Sequence, residues 1–170
     1  MADLTVSAGT YRDAPRLRVA FAEQVDALLR TAALALPAGA PRLPADEWSA
    51  AHVLAHVGEF PRFFAADLRR WVTDRRAVIG RTMEHEVRLA AVSDAKVGAR
   101  DRAELIAGAR DALATLAGAL DLLTDADLEA PTQNVRYGEE PLRAFLDRYV
   151  VGHLAGHVDQ LKRCLGEADR

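Results

Sequence analysis

The chain contains a single cysteine, Cys164, so neither an intrachain disulfide nor a cluster of thiolate metal ligands can hold it together. Aromatic residues make up only 6% of it, and the alternation of β-branched and aromatic residues that marks strands is nearly absent. Ala, Leu and Arg dominate instead, and these side chains lose little entropy in a helix, so helices are the economical expectation. Every apolar run is broken by Arg, Asp or Glu well before the ~18 residues that would span a bilayer. No long basic run occurs and the formal net charge is -3, which argues against a nucleic-acid surface. The opening "MADLTVSAGTYRDAPRLRVA" lacks the basic start and apolar block of a secretory signal, so a cytoplasmic protein is expected. Internal repeats and low-complexity segments are also missing, and 170 residues suit one domain with one substantial core.

The dominant positive signal is helical periodicity. Apolar residues at Leu17, Val19, Ala20, Phe21, Val25, Leu28 and Leu29 predict a first helix over Ala14 to Ala35, with a loop rich in Pro and Gly after it. A second helix is expected from an N-cap at Asp46, carrying Val53, Val57, Phe60, Phe64, Leu68 and Trp71, with Pro61 kinking or dividing it. Leu105, Ile106, Ala109, Leu113, Leu116 and Leu120 mark a third helix from Arg102 to Leu123, with Asp101 as its cap. The last runs from about Pro141 to Leu165 and stops at Gly166. In residues 80–98, "RTMEHEVRLAAV" could form a short helix, but the segment has no wide apolar stripe and is left without a role, and the stretch from Thr124 to Pro141 reads as turns. The expected fold is all-α, a four-helix bundle whose long loops imply at least one crossover connection.

Five histidines occur, at 52, 56, 85, 153 and 157. In the last helix the apolar stripe of Leu142, Leu146, Tyr149 and Val150 continues through His153 and His157 to Leu161 and Cys164, so the two imidazoles extend the buried face. Rings four residues apart on one face can reach a single ion. The second helix offers His56 on its inner side, with His52 as the competing candidate and Glu59 close to the same face. Three imidazoles with open positions would be a catalytic rather than a closed structural metal set. Zinc, nickel, iron and copper all accept neutral imidazole. The competing expectation is a buried cluster satisfied by hydrogen bonds alone.

Two stretches then narrow the choice. "DEWSAAHVLAHVGEF", residues 46–60, resembles a helix of the DinB/YfiT-like superfamily in which a tryptophan is followed by a small hydroxyl residue and, eight positions after the tryptophan, a histidine. Here these are Trp48, Ser49 and His56. "RYGEEPLRAFLDRYVVGHLAGHVDQL", residues 136–161, is similar to the final helix of the same superfamily through His153, His157, Gln160 and Leu161, preceded by Tyr137, Gly138 and Glu139. The resemblance implies a bundle of that type with a divalent metal on His56, His153 and His157, and it selects His56 over His52. The ion it implies is zinc or nickel, with iron or manganese as alternatives. Characterised relatives include enzymes dependent on low-molecular-weight thiols, such as mycothiol-dependent isomerases and bacillithiol transferases; others are described as metal-dependent hydrolases, and members are often homodimers. The functional expectation is therefore a metal-dependent enzyme that activates a small thiol or a water to act on a small-molecule substrate, the alternative being a non-catalytic, stress-associated metal-binding bundle.

Other side chains near these motifs have expected roles too. Glu59 is a candidate general base for a metal-bound water or thiol, the alternative being a solvated carboxylate, and it matches the acidic position of the superfamily only loosely. Gln160 would orient a ligand or form an interhelical hydrogen bond, and Trp48 would anchor the start of its helix by packing. His52 is expected at the rim, His85 in solvent, Asp159 outward, and Cys164 as a packing residue. Arg62, Arg69, Arg70, Arg75 and Arg76 form a basic outer end, solvated or available to an acidic thiol.

Overall fold

A computed structural model of the chain describes residues 11–34 and 48–164. Helix α1, Ala14–Ala33, starts where the sequence places it: Asp13 caps it by accepting from the Arg16 N–H, and Pro15 occupies the first turn. Leu17, Phe21 and Leu28 of its predicted stripe are buried, but Val19 is 57% exposed. Ala35 and the predicted cap Asp46 lie outside the described residues.

The second helix begins later than expected and is divided. Ser49 caps α2, Ala50–Val57; Gly58 and Glu59 interrupt; and α3, Phe60–Thr73, resumes with Pro61 in its first turn, where a missing N–H costs nothing. Next come β1, Val78–Ile79, and two short helices, α4 (Glu86–Ala91) and α5 (Asp94–Gly98). Helix α6, Arg102–Leu120, opens on a reciprocal capping box between Asp101 and Glu104 and buries Leu105, Ala109, Leu113, Leu116 and Leu120. It ends three residues short of the predicted Leu123. A short α7, Asp125–Glu129, leads into strands β2 (Pro131–Asn134) and β3 (Gly138–Pro141). The last helical rod consists of α8 (Leu142–Leu146), a π-helical turn at Asp147–Val151, and α9 (Gly152–Cys164). Gly166, the predicted stop, lies outside the described residues.

The turn-rich stretch 124–141 in fact contributes to a three-stranded sheet in the order β1-β2-β3. β1 runs parallel to β2 (Val78 beside Gln133), and β2 runs antiparallel to β3 (Thr132 beside Glu140). Strands of two to four residues are too short to show a period in sequence. Asp67, on α3, ties the sheet to the bundle: its buried carboxylate accepts from the Gly80 N–H at 2.7 Å and from Arg70. Gly80 has φ +88°, and a Cβ there would sit 3.2 Å from Asn134 Oδ1, so glycine suits the point where the chain leaves β1.

In the bundle, α1 packs chiefly on α6 and α9, and so does α2, while α3 packs on α6. The first and second bundle helices are thus diagonal in space, as are the third and fourth: α1 faces α2–α3 across the core, and α6 faces α9. The expected crossover is real, since the chain passes from one diagonal position to the other between Leu34 and Trp48 and again between α6 and α8. Trp71, Phe60, Phe145, Leu54, Leu68 and Leu116 fill the space between them. Replacing Asp101 by Ala removes one half of the capping box and is expected to lower stability by about 1 kcal/mol, read as a reduced urea midpoint at unchanged m-value.

Candidate metal centre

The break at Gly58–Glu59 places His56 in the last turn of α2, its ring turned towards α9. On the opposite rod, the π turn comes immediately before the two other histidines: the Gly152 N–H bonds back to the carbonyl of Asp147, five residues earlier. One extra residue rotates the rest of the rod by about 100° relative to an uninterrupted helix, and such turns recur at functional sites. Tyr149 and Val150 face the core within the turn, and His153 and His157 come after it on the inner side.

The three histidines converge. One ring nitrogen from each lies within 4.8 Å of the others. His56 Nε2 and His153 Nε2 are 3.1 Å apart, and the rings of His153 and His157 are 4.6 Å apart between centroids. Bonds of about 2.0–2.1 Å from one ion to two tetrahedral ligands place their nitrogens about 3.4 Å apart, so the His56–His153 spacing fits a shared ion. Two lone pairs at 3.1 Å repel unless a proton or a cation lies between them.

Neighbours set the tautomers. Gln160, expected as an orienting group or an interhelical link, is buried one turn beyond His157 on the same helix; its Oε1 accepts from the ring Nδ1–H at 2.8 Å. That leaves the His157 Nε2 as the lone-pair nitrogen, and this atom is buried with no hydrogen bond. His56 Nδ1 faces a Glu59 carboxylate oxygen at 3.5 Å, a long approach that favours a proton on Nδ1 and the lone pair on Nε2. Arg81 grips Glu59 with both terminal nitrogens. Burial pushes the Glu59 carboxyl up, but the hydrogen bonds and charges of His56 and Arg81 outweigh this and hold it below the usual carboxylate range. Trp48 packs edge-on to His56 and parallel to His157, while Phe60 lies 4.6 Å from His153. The expected packing anchor thus packs on the histidines themselves.

Other expectations need correction. His52 is not at the rim but 7% exposed: its Nδ1 is 2.7 Å from Ser49 Oγ and its Nε2 2.9 Å from Asp94 Oδ1, so both nitrogens are engaged in joining α2 to α5. His85 is half-buried rather than solvated, capping α4 through its Nδ1 and standing edge-on to Phe63. Asp159 points outward and Cys164 is buried, as expected. Of the arginines read as a basic outer end, Arg69, Arg70 and Arg75 hold Thr115, Asp67 and Asp127.

The cluster forms part of the wall of a cavity of about 280 Å³. Its remaining wall comes largely from segments to which the sequence alone assigns no role: Arg81, Thr82, Met83 and Arg88 from residues 80–98, and Arg136 from the β2–β3 turn. Arg81 and Arg88 fit no helical or strand period that would have marked them. Glu59 is behind this wall, not on it.

All three imidazoles are held below the ordinary histidine range, by burial first. Neighbouring imidazoles add to this at His153 and His157, and His157 is brought down to about 3. Glu59 partly opposes the shift at His56. The rings are therefore uncharged at neutral pH and present lone pairs. Below a pH of about 6.5 the unfolded chain takes up protons that the folded rings refuse, so stability declines as the pH is lowered and is unaffected above that value. Urea denaturation of chelator-treated protein should show this loss as the pH falls from about 6.5 towards about 3, and His157→Gln should make the decline shallower.

Searches of curated proteins and of solved structures return no match. Residues 5–161 match the family model of the DinB superfamily, nearly the whole chain, and the motifs around Trp48–His56 and His153–Gln160 fall inside that span. The protein belongs to the DinB superfamily.

Proposed function

We propose that the protein is a divalent-metal-dependent enzyme in which His56, His153 and His157 hold one ion at the cavity wall, and which acts on a small molecule by transfer from a low-molecular-weight thiol or by hydrolysis. The observation that carries this reading is the convergence of three uncharged imidazoles, one of them with a buried nitrogen bonded to nothing in the protein. Structural zinc sites use four protein ligands, whereas three leave room for a reactant. An ion bound there supplies Lewis-acid activation of a thiol or a water at its open position.

The chain's own residues do the positioning. Gln160 keeps the proton of His157 on Nδ1, and Glu59 favours the same arrangement at His56; partners of this kind raise ligand basicity and fix ring orientation. Arg81 holds Glu59 in place and shields it from the cavity. This geometry favours Glu59 as a positioning residue over the general base expected from sequence, since Arg81 holds both of its oxygens.

Protein purified without an affinity tag should carry about one zinc or nickel per chain by elemental analysis. His56→Ala, His153→Ala and His157→Ala should each lose it, while His52→Ala retains it. The thiol form of the reaction would show as metal-dependent consumption of a thiol with an electrophilic acceptor; the hydrolytic form as ester or amide turnover without thiol. If chelation lowers the melting temperature but no turnover of either kind is found, the ion is structural and the catalytic reading fails. For Glu59→Gln, a positioning role predicts metal affinity weaker by about 10–100-fold. A general base would instead abolish turnover at unchanged affinity.

A further inference from the structure

The charges around the cavity are one-sided. Arg81, Arg88 and Arg136 border it, and among the described residues neither an aspartate nor a glutamate does. The charge of Arg81 is balanced by Glu59 behind the wall. The other two guanidinium groups are not paired in this way: among the described residues neither Arg88 nor Arg136 has a carboxylate within ion-pair distance. Arg88 is half-buried, donates to the Met83 carbonyl at 2.8 Å, and lies 5.3 Å from the Trp48 ring. Burial first and then Arg81 oppose its charge, and Glu59 and Glu84 offset this only in part. A half-buried cation with no carboxylate in direct contact is a site for an anion, because an incoming negative group restores the favourable interactions that desolvation removed.

Away from the histidines, Thr82 and Gln160, the rest of the wall is apolar. Trp48, Phe64, Met83 and Tyr149 present rings and a thioether. The Tyr149 hydroxyl is buried with no hydrogen bond of normal geometry, making only a weak approach to Asn134. At about 280 Å³ the cavity falls just below the usual range for small-molecule sites, about 300 to 1,000 Å³, which suits a small ligand.

We propose that the ligand of this cavity is a small organic carboxylate with an apolar body, its carboxylate held by Arg88 and Arg136 and its body lodged against Trp48, Phe64 and Tyr149. The proposal deepens the metalloenzyme reading and rests on it for the identity of the reacting end, but the arginine subsite can be tested with or without an ion. A guanidinium offers paired N–H donors that match the two oxygens of a carboxylate, a geometry that a neutral amide of the same shape cannot reproduce.

The test measures binding of benzoate and a short series of alkanoates against the corresponding neutral amides. Calorimetry or the fluorescence of Trp48 can monitor it, in zinc-loaded and in chelator-treated protein. The carboxylate is expected to bind at least about tenfold more tightly than its amide in both forms, as one charge-assisted contact suffices for that factor. The double substitution Arg88→Gln with Arg136→Gln should abolish the preference while zinc content is unchanged, and Arg88→Lys with Arg136→Lys should restore part of it. Both positions are at least partly exposed, and circular dichroism checks that the variants fold. Equal affinity for acid and amide, failure of any carboxylate to bind, or a preference that survives the double Gln substitution would overturn the proposal. Absence of zinc from the wild-type protein would instead defeat the metalloenzyme reading, while the chelator-treated arm still decides the carboxylate subsite.

Discussion

Three imidazoles side by side, two of them buried and His153 partly so, cannot all be charged, and they cannot all leave their inward nitrogens satisfied by one another. That constraint organises the centre of this protein. Burial keeps the rings neutral, Gln160 and Glu59 draw the Nδ1 protons of His157 and His56 outward, and the inward lone pairs are left to share a proton or a cation. Removing a side chain elsewhere in the core would cost packing. At this point the protein instead carries an electrostatic deficit, and supporting contacts preserve it.

Much of the surrounding structure supports that point. The break between α2 and α3 brings His56 and Glu59 to the end of a short helix, and Arg81, arriving from the segment after β1, holds the carboxylate in place. Gly80 turns the chain there, and Asp67 anchors the turn from α3. On the other side, the π turn comes just before the paired histidines. The sheet, though small, sets the position of the β2–β3 turn and hence of Arg136 at the cavity mouth.

Two kinds of chemistry share one small space: neutral imidazoles and the guanidinium groups of Arg88 and Arg136 line the same cavity. No described helix is long and apolar enough to cross a membrane, and the buried faces of the helices serve the core and this cavity.

Several features were legible without coordinates because they depend on local rules. Helical period placed the inner faces of α1, α6 and α9, and the Asp101 cap came from residue type next to that period. Pro61 announced a break, since proline cannot continue a helix without losing a hydrogen bond. The four-residue spacing of His153 and His157 on an apolar stripe identified two rings of the cluster, and the resemblance to the superfamily pointed to His56. Other features had no local mark. Ser49 rather than Asp46 caps α2, and His52 is buried because Asp94, 42 residues away, returns to meet it. Glu59 became a partner of Arg81 through a contact across 22 positions. Residue type and spacing therefore determined which helices form and which rings they carry. Only the tertiary structure decided which nitrogens converge, which carboxylate is already paired, and which arginines face an apolar cavity, because those outcomes depend on distances between segments that no sequence period encodes.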